Sequence, residues 1–247
     1  MTLSSLTRST ARTYSAPPQA PQPVAPDSIA GLAEEWRTLL LPPRLLARAP
    51  RLARVPRGDG GPVIDIPGWK SPEAAMGPLR HYLRRQGHAA RGWGLGVNTG
   101  NPERDVEIFA PMVEELAERS GRPVALVGWS LGGTIARETA RTVPDAVSHV
   151  VTYGTPVIGG PSYTIGARAA GEAENARIRE LIEDLDRTNP IQVPITAIFT
   201  RRDRIVDWPA SIDRTSPHVE HVEVRSTHAG MGIDPDVWEI VATRLAA

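Results

Sequence analysis

Ser130 lies in Gly128-Trp129-Ser130-Leu131-Gly132, between a short apolar run and a helical pattern, and the chemistry open to a serine so placed is nucleophilic attack. Residues 124–127 (V-A-L-V) read as a strand buried on both faces, and residues 134–143 as a helix stopped by Pro144. A serine at that bend is forced into a strained backbone conformation, and the positions two before and two after it must be tiny for the chain to double back. Gly128 and Gly132 meet that need. The hydroxyl is pushed out of the fold, and the first helical amides, Leu131 among them, point toward the same space and can donate to a developing oxyanion.

A serine nucleophile needs a base, and the base needs an acid that holds its tautomer. Residues 195–200 (I-T-A-I-F-T) read as a buried strand, and Asp203 falls on the loop just beyond it. Asp207, four residues later, is the competing acid; the position directly after the strand and the D-x-x-V context favour Asp203. A strand at 219–224 leads into a loop carrying His228, and a helix from about 236 to 245 closes the chain. The other histidines are His81, His88, His149, His218 and His221. His221 alternates with Val222 and Val224 and is expected to face away from the core. His218 and His221, three apart in a partly extended segment, fall on opposite faces and do not suit a metal pair.

Between these landmarks the chain alternates. A strand at 63–66 precedes a helix at 73–86, and a strand at 88–93 precedes a helix at 103–119 with Val106, Phe109, Ala110, Val113 and Leu116 on one face. A further strand is read at 147–153. Such alternation implies an α/β fold with a mainly parallel twisted sheet, helices on both faces, and chemistry at the C-terminal strand ends.

The order Ser130, Asp203, His228, together with Tyr153-Gly154-Thr155-Pro156 and Asp203-Arg204-Ile205-Val206, resembles the α/β-hydrolase fold superfamily, in its serine esterase and lipase branch. The resemblance covers most of the chain after residue 62. It implies a Ser130–His228–Asp203 triad, with an oxyanion hole formed by the amides of Trp69 and Leu131. The loop carrying Trp69 has Pro67 where the family often has histidine, a swap of little consequence because backbone N–H groups do the work. Asn98, in the glycine-rich run 92–100, is either a brace for that loop or part of a structural turn. The run lacks the order of a nucleotide-binding loop. Residues 157–192 form an insertion with one amphipathic helix marked by Ile178, Leu181, Ile182 and Leu185, which implies a short lid or none, and little or no cap domain. Trp69, Trp129, Val157 and Ile158 are candidates for an apolar acyl pocket, against the ordinary alternative that they are core.

The implied activity is hydrolysis of small-molecule or lipid carboxylic esters without metal or organic cofactor. A thioesterase, acyltransferase or perhydrolase on the same triad, or a catalytically silent binder of a lipid or partner, are the alternatives. Aspartate stands at the nucleophile position in dehalogenases of this fold, which sets them aside.

Composition agrees. The 247 residues can bury one substantial core, and 28 basic against 28 acidic residues leave no global field to attract nucleic acid. With no cysteine, disulfides, thiolate zinc sites and a cysteine nucleophile are excluded. Residues 1–27, rich in Ser, Thr, Pro, Ala and Gln, are expected to be disordered, and residues 61–247 to form the catalytic domain. Residues 28–60 are helical in pattern, broken at Pro42-Pro43, and carry Arg44, Arg48, Arg51, Arg54 and Arg57. The plain expectation is a helix packed on the domain with its arginines in water, the sharper one a weak membrane-surface contact through residues 28–58. No signal peptide or transmembrane segment is visible, so the expected location is cytoplasmic.

Overall fold

The computed structural model describes residues 9, 11–26 and 29–246. Six parallel strands and one antiparallel edge strand form a single sheet in the order β1-β7-β6-β5-β4-β2-β3. The strands are β1 (Arg12–Tyr14), β2 (Pro62–Ile66), β3 (Ala89–Gly92), β4 (Val124–Trp129), β5 (Val147–Tyr153), β6 (Ile195–Phe199) and β7 (Val219–Glu223). The helices are α1 (Leu41–Leu52), α2 (Gly77–Arg85), α3 (Pro102–Ser120), α4 (Leu131–Thr142), the short α5 (Ala167–Ala170), α6 (Glu172–Thr188) and α7 (Pro235–Leu245).

The central strand β4 shows why the sheet is buried on both sides. Ala125 and Val127 belong to one apolar cluster, with Leu79, Leu83 and Tyr82 of α2 and Val237, Trp238 and Val241 of α7. Val124 and Leu126 belong to the other, with Phe109 and Val113 of α3 and Ile135 and Ala136 of α4. The continuous apolar run is the signature of a strand covered on both faces, and the period-3.6 stripes on the helices supply the cover. Tyr82 and Trp238 stack at 5.2 Å between ring centroids, tying α2 to α7. Asn101 caps α3 by accepting from the Arg104 amide, and Gly121 ends that helix in the left-handed conformation at φ 65°.

Three expectations are corrected. Within residues 1–27, Arg12–Tyr14 form an antiparallel strand on β7, and the Tyr14 hydroxyl donates to Glu223 at 2.5 Å. An otherwise open sheet edge recruits it. Residues 1–8, 10 and 27–28 lie outside the described residues. At Pro42-Pro43 the 3-10 helix Ile29–Leu40 gives way to α1, and the prolines fall in the first turn of that new helix, where a missing N–H costs nothing. Not all the arginines of this segment lie in water: Arg44 and Arg48 are buried and ion-paired to α7 and its cap. Arg44 bonds Asp234 at 3.1 Å and Asp236 at 2.5 Å, and Arg48 bonds Asp236 at 3.0 Å and Glu239 at 2.5 Å. Arg54 and Arg57 are exposed. No described helix is long and apolar enough to cross a membrane.

His221 is fully buried, not outward-facing, with the charged groups of Asp213 and Arg137 beside it. These two form a buried pair, Arg137 of α4 donating to Asp213 at 2.5 Å. Burial pushes the Asp213 carboxyl up, but the Arg137 charge and the Ser216 and Thr215 amides outweigh it and hold it well below the usual range. Burial, the largest influence, holds the His221 imidazole below its ordinary value, with Asp213 opposing and Arg137 adding to the effect. A histidine whose folded pKa is depressed contributes fully above the unfolded value of about 6.5, and its contribution falls as pH drops below that point. The stability gap between wild type and His221→Leu is therefore expected to narrow in favour of the variant between pH 7.5 and pH 5.5. Urea midpoints at the two pH values check this, and a gap independent of pH would contradict it.

Candidate active site

The C-terminal ends of β2, β4, β5, β6 and β7 lie along one edge of the parallel sheet and carry the Pro67–Lys70 loop, Ser130, Gly154, Asp203 and His228 respectively. Ser130 adopts φ 53° and ψ −125°, a conformation a side chain rarely tolerates. It is held there on every side: its amide donates to Tyr153 O at 2.9 Å, and its carbonyl accepts from the Gly133 amide at 2.9 Å and the Thr155 hydroxyl at 3.0 Å.

The glycines are required by contact. A Cβ on Gly128 would strike the backbone of Gly132 and Gly133, and one on Gly132 would strike Ile66 O and lie 2.6 Å from Pro67 O. A Cβ on Gly133 would strike Thr155. On the other side of the turn, a Cβ on Gly68 would lie 3.2 Å from Ser130 Cβ, so the loop bearing Trp69 is pressed against the serine. Leu131 opens α4, where the amide has no intrahelical acceptor. Asn98 is fully buried and is the brace: its Nδ2 donates to Pro67 O at 2.8 Å, its Oδ1 accepts from Gly100 N at 3.1 Å, and its carbonyl accepts from Lys70 N at 2.8 Å. Lys70 is itself at φ 55°, with its ammonium 4.4 Å from the centre of the Trp69 ring.

Asp203 and His228 meet. Asp203 Oδ2 lies 2.7 Å from His228 Nδ1, both side chains being buried, while Asp203 Oδ1 accepts from the amides of Ile205 at 2.9 Å and Val206 at 2.8 Å. The D-x-x-V context is thus a turn that aims one carboxylate oxygen and satisfies the other. Asp207 points elsewhere, accepting from Val24 N at 2.7 Å, and burial pushes its carboxyl up. His228 is joined to the nucleophile turn through Trp129, whose Nε1 donates to the His228 carbonyl at 3.3 Å and whose ring lies 5.7 Å from the imidazole. Gly154, at φ 60°, passes so close that a Cβ there would lie 3.0 Å from His228 Nδ1.

Of the four residues considered for an acyl pocket, Val157 and Ile158 line one cavity together. This cavity, of about 410 Å³, is lined by Val157, Ile158 and Ile182 with Arg187 and Arg214 at its rim, and neither Trp69 nor Trp129 is among its walls. Trp69 is 45% exposed, and Trp129 packs against the core. The amphipathic helix of the insertion is α6, none of whose residues is buried. Arg141 fixes one end through Asp186 at 2.7 Å, and Arg177 meets Glu103 at 2.9 Å near the other.

Sequence reasoning gave Gly133 and Thr155 no role of their own and missed Lys70. It also missed the pair formed by the buried Asp65 of β2 and Arg80, in which Arg80 donates to both carboxylate oxygens at 2.5 and 2.7 Å. Gly133 was legible as the second of the two adjacent glycines after Leu131, and Thr155 stood in the Tyr153-Gly154-Thr155-Pro156 run; nothing in a single sequence marks Lys70 or the Asp65–Arg80 pair.

No family model matches the chain. It is 33% identical over 102 residues to a pimeloyl-[acyl-carrier protein] methyl ester esterase of Aliivibrio salmonicida, covering 40% of this chain and 37% of that protein, and 29% identical over the same length to its counterpart in Aliivibrio fischeri. The match thus spans well under half the length of these curated relatives. Among solved structures, Aspergillus fumigatus lipase B superposes with a TM-score of 0.61 at 19% identity over 83% of this chain and 57% of its own. A monoacylglycerol lipase of Paleococcus ferrophilus gives 0.54 at 16% identity over 78% and 95%. A thioesterase domain from the curacin biosynthetic pathway gives 0.56 at 13% identity over 76% and 92%.

The glycine contacts lead to a test by stability. Gly132→Ala forces a methyl into backbone carbonyls and is expected to cost about 1–3 kcal/mol. Gly77→Ala, in α2 with open space around its Cβ, is expected to be neutral or stabilising by up to about 1 kcal/mol. Equal urea midpoints for the two variants would contradict the crossing geometry. The parallel sheet, the strained turn at the end of its central strand and the likeness to these solved structures establish that the chain has the α/β-hydrolase fold.

Proposed function

We propose that the protein is a serine hydrolase that cleaves carboxylic esters through an acyl-enzyme, with Ser130 as nucleophile, His228 as base and Asp203 as its orienting acid. The observation that carries this reading is the buried contact of 2.7 Å between His228 Nδ1 and Asp203 Oδ2, at the same sheet edge as the strained Ser130. With Nδ1–H engaged by the carboxylate, Nε2 is left as the basic nitrogen. The names of the curated relatives support ester over amide as the bond cleaved.

In this mechanism the Ser130 hydroxyl attacks the acyl carbon as its proton passes to His228 Nε2. The new oxyanion sits between the amides of Trp69 and Leu131, donors already oriented before reaction. The bond to the alkoxide breaks as His228 returns the proton to it, and the alcohol leaves. Water, deprotonated by the same nitrogen, attacks the acyl-enzyme, and Ser130 recovers its proton as the acid departs. Asp203 stabilises the imidazolium without itself taking up the proton.

Turnover of p-nitrophenyl esters from acetyl to palmitoyl tests the proposal. Wild type is expected to hydrolyse part of the series, Ser130→Ala and His228→Ala to lose activity by several orders of magnitude, and Asp207→Asn to remain near wild type. Near-normal turnover in either of the first two variants would refute the assignment.

A further inference from the structure

We propose that Glu35, in the segment preceding α1, is a positioning residue that holds the backbone of the catalytic base. The inference rests on the reading of His228 as that base.

The segment Ile29–Leu40 runs along the loop between β7 and α7. Glu35 Oε1 accepts from His228 N at 3.2 Å and Oε2 accepts from Ala229 N at 3.0 Å. Thr38 Oγ1 lies 2.9 Å from Thr227 Oγ1, and Leu41 Cδ1 lies 2.8 Å from where a Cβ on Gly230 would be. Arg44 then grips Asp234 at 3.1 Å. Contact by contact, residues 35–44 follow residues 227–234.

His228 is consequently held by three separate parts of the chain. Its ring is held by Asp203, its carbonyl by Trp129 Nε1 and its amide by Glu35. The first contact sets the tautomer and the second ties the residue to the nucleophile's neighbour. The third fixes the peptide plane from which the side chain hangs. Two adjacent N–H groups converging on two carboxylate oxygens form a charge-assisted pair of bonds, which a carboxamide can satisfy only in half and an alanine not at all. Glu34, the preceding residue, turns instead to Arg37 at 3.5 Å and is a control of equal charge.

The test uses the full chain and compares wild type, Glu35→Ala, Glu35→Gln and Glu34→Ala by the rate at which a fluorophosphonate labels Ser130 and by separate kcat and KM on an ester that wild type turns over. All are measured where circular dichroism shows the variants folded. An ångström of misplacement in a catalytic group costs up to roughly 10²-fold. Glu35→Ala is therefore expected to slow labelling and kcat by between about tenfold and that limit with KM unchanged. Glu35→Gln should lie between it and wild type, and Glu34→Ala should match wild type. Labelling of Glu35→Ala at the wild-type rate overturns the proposal, as does a loss no larger than the fall in its folded fraction. Glu35→Gln, close in shape to the native residue, keeps the test decisive if the alanine variant does not fold. A wild-type protein that labels but shows no dependence on Glu35 rejects only this inference, whereas one that does not label removes the hydrolase reading and this inference together.

Discussion

The approach of α4 to the ends of β2 and β4 is the constraint on which the active edge depends. The chain leaves β4 and reverses within one residue, so that Gly128, Gly132 and Gly133 come within touching distance of backbone or of Thr155. A residue at φ 53° costs on the order of 1–3 kcal/mol and persists only where its surroundings over-determine it. Here they do, because both the amide and the carbonyl of Ser130 are bonded. The same closeness brings Ile66 O and Pro67 O against Gly132, and thereby seats the Trp69 loop beside Leu131. The strained Ser130 turn and the position of the Trp69 loop are consequences of one packing contact.

A polar chain ending at the Trp69 loop makes that seat rigid. Asp65 in β2 is paired to Arg80, and Arg80 also donates to Glu73 O at 3.0 Å. Glu73 accepts from Gly94 N at 2.8 Å, fixing the start of the run that ends in Asn98, and Asn98 returns to Pro67 O. Burial pushes the Asp65 carboxyl up to about 6 against the pull of Arg80. A buried pair of this kind is seldom a net gain in stability. Its visible effect here is geometric: it ties β2, α2 and the loop after β3 into one frame around the Trp69 loop.

Most of the sheet was legible because its strands are buried on both faces and its helices are amphipathic. Residues 147–153 were read at their true limits, and the other core elements differ only by a few residues at their ends. Asp203 could be preferred to Asp207 because it stands directly after a buried strand in a D-x-x-V context, and the structure shows that context as a turn closed on Asp203 Oδ1 by the Ile205 and Val206 amides. What the sequence concealed are pairings between distant segments. His221 looks like the polar half of an alternating strand, and only the presence of Arg137 and Asp213 on the facing elements reveals that its side of β7 is covered. Arg44 and Arg48 look like solvated charges until Asp234, Asp236 and Glu239, some 190 residues away, are brought beneath them. Periodicity reports which side of an element is apolar; it does not report which buried charges find each other.

The N-terminal residues explain how β7, which delivers His228, is kept in place. Without β1, β7 would be the edge of the sheet, with one row of backbone groups unpaired. Without α1, the acidic start of α7 would leave Asp234 and Asp236 buried without their arginines. One terminal segment thus covers both elements that flank the His228 loop, while Ser130 is held by the centre of the sheet. The contacts of Ser130 come from its own turn and the neighbouring strand β5, whereas those of His228 come from Asp203, Trp129 and Glu35, the last separated from it by 193 positions.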